Sequence, residues 1–229
     1  MKNVSVIIPA LNEENSVGKV VGEIPMEIVR EVVVVNNGST DNTPAVARAA
    51  GATVIDEPVR GYGKACLAGI RHISDPSRQP AIVVFLDADY SDYPEEMSRV
   101  IDPILKDEAD FVAGSRIKGE RQSGAMPAHT VFGNKVAGFL LSVLFGQSFT
   151  DLGPFRAITF PCLRDLKMRD EGYGWTVEMQ IKAVKQGLRC SEVPVSYRKR
   201  TGVSKISGTF TGSAKAGAKI VWMILKYAF

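Results

Sequence analysis

Ala81-Ile82-Val83-Val84-Phe85-Leu86 runs straight into Asp87-Ala88-Asp89. A run this short, apolar and rich in β-branched residues reads as a strand buried on both faces of a parallel sheet. Side chains alternate across a strand, so aspartates two residues apart leave its end on the same side. Carboxylates held that close repel each other unless a cation or a proton lies between them. Hard oxygen ligands at the carboxyl edge of a sheet suit Mg2+ or Mn2+, which can then take further oxygens from a phosphate. The alternative is a solvated strand end with two ordinary surface aspartates.

Two further strands favour the first reading. Val4-Ser5-Val6-Ile7-Ile8-Pro9 runs into Ala10-Leu11-Asn12-Glu13-Glu14, and Glu31-Val32-Val33-Val34-Val35 runs into Asn36-Asn37-Gly38-Ser39-Thr40-Asp41. A helix is expected next, with Thr43 as its cap, Pro44 in its first turn and Gly51 as its terminator. Three apolar strands therefore each end in a polar cluster, and in doubly wound α/β sheets ligands bind at that edge.

Taken in order, Ile8-Pro9-Ala10-Leu11-Asn12-Glu13, Asn37-Gly38-Ser39-Thr40-Asp41, Gly61-Tyr62-Gly63-Lys64-Ala65, the Asp87/Asp89 pair and Gly114-Ser115-Arg116 resemble the family 2 glycosyltransferases of the GT-A fold. Asp151-Leu152-Gly153-Pro154-Phe155-Arg156, Glu192-Val193-Pro194-Val195 and Gly202-Val203-Ser204-Lys205 are most similar to the dolichyl- or polyprenyl-phosphate sugar synthases of that family. The resemblance covers residues 4 to 207. It implies a single α/β domain with a Rossmann-like, mainly parallel sheet over residues 1–229. Residues 1–115 would form the nucleotide-sugar half, 116–207 the acceptor side and lid, and 208–229 a C-terminal amphipathic helix.

The composition agrees. A chain of 229 residues suits one α/β domain, and no low-complexity stretch divides it. The net charge of +3 is mild, and Arg198-Lys199-Arg200 and Lys205 lack interleaved aromatics, so nucleic acid is not the expected partner and anionic phosphate is. Three cysteines without metal-site spacing read as reduced thiols of a cytoplasmic protein. The first strand starts close to Met1, so no signal peptide is expected. The longest apolar stretches, near 136–145 and 220–229, are too short to span about 30 Å of bilayer. The basic, Trp-bearing segment 214–229 reads as a helix that packs on the domain or on a second subunit, or else lies peripherally at the inner face of a membrane.

The resemblance assigns Pro9, Ala10, Asn12 and Glu13 to the base and ribose of a nucleotide-sugar, with Asn36 or Asn37 beside them and Ala88 between the aspartates. The usual pattern has an aspartate where Asn36 stands. An asparagine amide donates as well as accepts, which leaves uracil and guanine both open. Gly63 and Lys64 open a helix, whose N-terminus favours phosphate, or form a plain turn. Asp87 and Asp89 are the metal pair. Ser91 stands where these synthases often have a further ligand, and Asp92 is read as the cap of the helix at Pro94. Arg116, Arg156, Arg200 and Lys205 are the cations expected to neutralise the leaving diphosphate; the resemblance puts the last two on a lid, the alternative being a solvated basic loop. Glu178 and Lys182 are spaced for a surface ion pair on a helix over 175–186, although the resemblance also offers Glu178 as support for the lid. His129 is a candidate for an acceptor phosphate and His72 carries no signal.

The expected activity is metal-dependent, inverting transfer of a hexose from a UDP-glucose or GDP-mannose type of donor, inversion being implied by the resemblance. A polyprenyl-phosphate acceptor is already an anionic nucleophile, whereas a hydroxyl acceptor needs a base, for which Asp151 is the candidate. The segment Phe132–Leu141 offers an apolar helix to a polyprenyl chain, or is a core or dimer helix. A nucleotidyltransferase would want a glycine-rich, basic loop after its first strand, and 9–14 has neither glycine nor lysine. A non-catalytic sugar-nucleotide-binding protein is the remaining class.

Overall fold

Alternation of apolar residues on the strands builds the core. In the computed structural model, which describes residues 3–202 and 210–229, seven strands form one sheet: β1 Val4–Ala10, β2 Val29–Asn36, β3 Thr53–Asp56, β4 Ile82–Phe85, β5 Phe111–Ser115, β6 Arg156–Thr159 and β7 Cys190–Pro194. Side chains are described for 3–202 and 215–229. Val33 and Val35 of β2 enter one apolar layer, while Val32 and Val34 enter the other. That is the two-residue period of a strand covered on both faces.

The spatial order is β3-β2-β1-β4-β6-β5-β7. β6 runs antiparallel to both of its neighbours, and the other pairs are parallel. The chain winds outward from β1 through β2 to β3, then crosses back to place β4 on the other side of β1. Ile7 of β1 lies opposite Phe85 of β4, and Ala10 lies opposite Asn36 of β2. The carboxyl ends of β1 and β4 thus flank the point where strand order reverses, the position at which such sheets open a crevice.

Eight helices cover the sheet among the described residues: α1 Val17–Gly22, α2 Thr43–Ala49, α3 Tyr62–Ile73, α4 Met97–Leu105, α5 Ala128–Phe145, α6 Phe160–Leu166, α7 Trp175–Lys185 and α8 Phe210–Ala228. Thr43 is the first residue of α2 rather than its cap, since Asp41 accepts its backbone N–H at 3.0 Å and its hydroxyl at 2.5 Å. Gly51 ends the turn at φ 96°. Gly69 lets α3 lie close on the sheet, because a Cβ there would be 2.5 Å from a methyl of Ile7. Trp175 fills the space between α7 and the sheet, with its ring 4.7 Å from that of Phe85 and 6.2 Å from that of Tyr62. Burying side chains of that size contributes about 1.5–3 kcal/mol each.

Two stretches differ from expectation. The apolar stretch near 136–145, read as too short to span a bilayer, belongs with Phe132–Leu141 to the 18-residue α5, which with mean hydropathy 1.3 is long and apolar enough to cross a membrane by length and composition. Asn134, Ala137, Gly138 and Leu141 are nonetheless buried in the domain, so α5 lies along it. α8 buries Met223 and Ile224 in the same core and leaves Trp222 and Leu225 exposed.

Candidate active site

The aspartate turn is built from its own short-range bonds. Beyond β4, Asp87 is partly buried and accepts the Tyr62 hydroxyl at 3.1 Å. Asp89 is buried and accepts both the Ser91 backbone N–H, at 2.9 Å, and the Ser91 hydroxyl, at 2.5 Å. Its other oxygen lies 3.1 Å from Arg200 Nη2. Ser91 therefore aims Asp89 instead of offering itself as a ligand. Burial first, and then the charge of Asp89, push the Asp87 carboxyl up to about 7. An acid held that high beside a second carboxylate is a place where positive charge is favoured.

The turn lines a cavity of about 810 Å3. Pro9, Ala10, Leu11, Glu13 and Asn37 line its sheet edge, with Arg60, Gly61 and Tyr62 beside them. Asp87, Ala88, Asp89, Arg116 and Arg200 form its charged floor. Its far wall is α5 and α8, through Phe132, Gly133, Val136, Ala137, Ala216, Gly217, Ile220 and Val221, with His129 and Tyr173 at the rim. Polar and apolar halves thus open into one space.

Arg116 is set from behind. Asp151, fully buried, accepts Arg116 Nε and Nη2 at 2.7 Å each, the Arg116 backbone N–H at 2.9 Å and Asn134 Nδ2 at 2.6 Å. Burial works against the Asp151 charge, but Arg116 outweighs it and holds the carboxyl below its ordinary value. A carboxylate with both oxygens engaged and a lowered pKa is a poor proton acceptor, so the geometry fits an anchor better than a base. Arg116 also lies with its guanidinium carbon 4.9 Å from the Tyr197 ring centre.

Several residues expected at the site stand elsewhere. Arg156 is fully buried in β6 and does not line the cavity. It donates to the carbonyls of Thr176 at 2.8 Å, Leu152 at 3.4 Å and Gly153, and burial pushes it down to about 10. Asn12, left-handed at φ 53°, ties two loops together by accepting the Thr40 N–H at 2.8 Å and donating its own N–H to Ser39 at 3.0 Å. Asn36 is held by Asp56 at 2.7 Å and by the Ser39 N–H at 3.0 Å. Asn37 reaches the cavity, yet its amide also fixes the following loop through Glu57, Val59 and Gly61. Gly63 and Lys64 face the 170–171 backbone: a Cβ on Gly63 would be 2.0 Å from the Asp170 carbonyl oxygen, and Lys64 pairs with Glu171 at 3.2 Å. Lys205 lies outside the described residues.

Two further expectations are corrected. Asp92 makes no capping bond: both its oxygens are buried without a hydrogen-bond partner, and burial, reinforced by Asp87, Asp89 and Asp151, pushes its carboxyl well up. Glu178 is not on the surface. Fully buried, it takes Lys182 at 2.8 Å, the Asp170 N–H at 2.7 Å and the Tyr227 hydroxyl at 2.7 Å, and so ties α7 to α8. His72 pairs with Glu31 at 3.1 Å. Tyr62, Tyr173 and the α8 residues were missed at the site. Only the aromatic between Gly61 and Gly63 carried any local signal, because the others arrive through tertiary packing.

The donor set fits a Mg2+ or Mn2+ ion that takes the rest of its ligands from diphosphate and water. Two carboxylates converge at Asp87 and Asp89, and no cluster of three or more His, Cys, Asp or Glu side chains suited to a metal occurs among the described residues.

Solved structures share this architecture. Glucosyl-3-phosphoglycerate synthase from Mycobacterium tuberculosis, in complex with Mn2+, UDP-glucose and phosphoglyceric acid, superposes with a TM-score of 0.77 over 99% of this chain and 80% of its own, at 23% identity. The fold is thus that of the GT-A glycosyltransferases. The model of glycosyl transferase family 2 matches residues 5–165, and the chain belongs to that family. Among its relatives, an uncharacterised glycosyltransferase of Mycobacterium tuberculosis is 35% identical, over 92% of each chain. A dolichyl-phosphate hexose transferase of Haloferax volcanii is 32% identical, over 98% of this chain and 95% of its own.

Proposed function

We propose that this glycosyltransferase moves a hexose from a nucleoside-diphosphate sugar to a polyprenyl phosphate. One observation carries the acceptor: the charged floor at Asp87, Asp89, Arg116 and Arg200 shares its cavity with an apolar wall from α5 and α8. A phosphate with a long hydrocarbon tail fits both halves of that space. The engagement of Asp151 by Arg116 supports the same reading, since a phosphate acceptor is an anion already and needs no general base. The dolichyl-phosphate relative and the neighbour bound to UDP-glucose and Mn2+ are consistent with it.

In this reading Pro9, Ala10, Glu13 and Asn37 bind the nucleoside, and Asp87 and Asp89 hold Mg2+ or Mn2+. The ion supplies positive charge against the leaving diphosphate. Arg116, kept rigid by Asp151, and Arg200, held beside Asp89, add fixed cations on the same floor, where a charge that builds during reaction is stabilised without reorganisation. Tyr62 orients Asp87, and Ser91 orients Asp89. The exposed faces of α5 (Phe132, Phe139, Val143) and α8 (Trp222, Leu225) are proposed to rest on the bilayer that carries the acceptor. Lys219 is paired with Asp170, and the other charged residues of these two helices are the lysines Lys135, Lys215 and Lys226, which suit anionic headgroups.

The test is transfer of labelled hexose from UDP-glucose or GDP-mannose, with Mn2+, into a polyprenyl phosphate in detergent or into 3-phosphoglycerate. Label in the organic phase is the expected result. Label only in the water-soluble acceptor would overturn the lipid-phosphate reading.

A further inference from the structure

Tyr90 stands between Asp89 and Ser91 with φ 63°, in the left-handed region. Bulky aromatic residues rarely adopt it, and they keep it only where their surroundings hold them there. Here the holding group is Arg198. Its Nε donates to the Tyr90 carbonyl at 2.8 Å, and its Nη2 donates to the Asp92 carbonyl at 3.2 Å and to Glu23 at 2.7 Å. Its backbone N–H donates to the Ser91 carbonyl at 2.9 Å. The guanidinium carbon lies 3.3 Å from the Tyr90 ring centre and 4.2 Å from that of Tyr93, so the cation is stacked against both aromatic faces. The Tyr90 hydroxyl closes the set on Glu23.

The same short segment delivers Arg200. Two residues beyond Arg198, Arg200 Nη2 lies 3.1 Å from Asp89 Oδ2, and the Thr201 N–H donates to the Asp89 carbonyl at 2.9 Å. The geometry points to Arg198 as a positioning residue for metal and diphosphate: it holds the Tyr90 turn that aims Asp89, and it fixes where Arg200 arrives. Arg198 itself touches neither. This inference rests on the reading of Asp87 and Asp89 as the metal-holding pair.

Mn2+ binding by the full chain, with excess UDP and separately with excess GDP, is read from loss of the free-ion paramagnetic resonance signal. Thermal melting of each variant checks the fold. Arg198→Ala is expected to weaken Mn2+ binding by about 10- to 100-fold, the usual effect of removing a residue that orients a metal ligand. Arg198→Lys regains little, because an ammonium lacks the planar fork. Tyr90→Gly added to Arg198→Ala regains part of the binding, because glycine takes a positive φ without strain but does not restore the placement of Arg200. A purely structural role would lower the melting temperature and leave the Mn2+ affinity of the folded fraction unchanged, and that result overturns the inference. So does a loss that Tyr90→Gly fails to relieve. If Arg198→Ala does not fold, Arg198→Lys carries the same test. Wild type that binds no Mn2+ with either nucleotide overturns the metal-dependent donor reading itself, a failure distinct from an unchanged Arg198 variant.

Discussion

Asp151 contributes through Arg116. Asp151→Asn removes one partner of a buried ion pair and should cost about 3–5 kcal/mol of stability, read by urea unfolding. Its carboxyl titrates below the ordinary aspartate value in the folded protein. The stability it gives is therefore complete above about pH 4 and is lost as the pH falls through the depressed value. The variant should lose stability less steeply than wild type in that acid range. Asp87 has the opposite sign. Its folded pKa of about 7 means that the metal-free protein gains stability from it at low pH and loses that gain as the pH rises to about 7. The same proton competes with a cation, so Mn2+ affinity should rise about tenfold per unit below pH 7 and level off above it. A flat profile by calorimetric titration would show that no such competition exists. Asp87, Asp89 and Arg116 line one cavity, as the sequence predicts, because each lies within four residues of the carboxyl end of an apolar strand. Arg156 was misread because nothing local tells whether a guanidinium meets a cavity or three carbonyls beneath it.

Elements are joined by charges that the linear pattern presents as surface. Glu178 and Lys182 sit at ordinary helix spacing, yet Tyr227, far along the chain, comes back to bury Glu178. Glu178→Gln should destabilise by about 3 kcal/mol, because it removes the buried carboxylate that accepts Lys182, Tyr227 and the backbone N–H groups of Arg169 and Asp170, whereas Tyr227→Phe should cost only about 1 kcal/mol. Equal losses in urea would contradict this ranking. Asp170 extends the link: it takes Lys219 of α8 at 2.8 Å, while its own carbonyl and that of Glu171 press on Gly63 and Gly61 at the start of α3. The glycines of Gly61-Tyr62-Gly63 thus serve close contact between protein segments, while Gly61 and Tyr62 also line the cavity. α7 was read to within a residue at its C-terminal end, because its apolar period is local.

At the scale of the molecule, the fold class follows from three valine- and isoleucine-rich runs that each end in polar residues, a pattern that only a sheet covered on both faces satisfies. The reversed strand β6 was not legible, since four residues, Arg-Ala-Ile-Thr, carry no sign of direction and their pairing is decided by β4 and β5 on either side. The apolar wall of the cavity was legible only in halves, because α5 and α8 meet through packing. What unites sheet edge, aspartate turn and cavity is the claim of a metal-dependent nucleotide-sugar site, and thermal unfolding with ligands tests it most directly. UDP, GDP, UDP-glucose and GDP-mannose are each added with and without Mn2+ to wild type and to Asp89→Ala. A ligand at about 100 times its dissociation constant stabilises by about 2.7 kcal/mol, an easily read shift. The account predicts that one nucleotide series stabilises wild type only when Mn2+ is present and leaves Asp89→Ala unmoved. Stabilisation by none of them, or equal stabilisation of the two proteins, would contradict it.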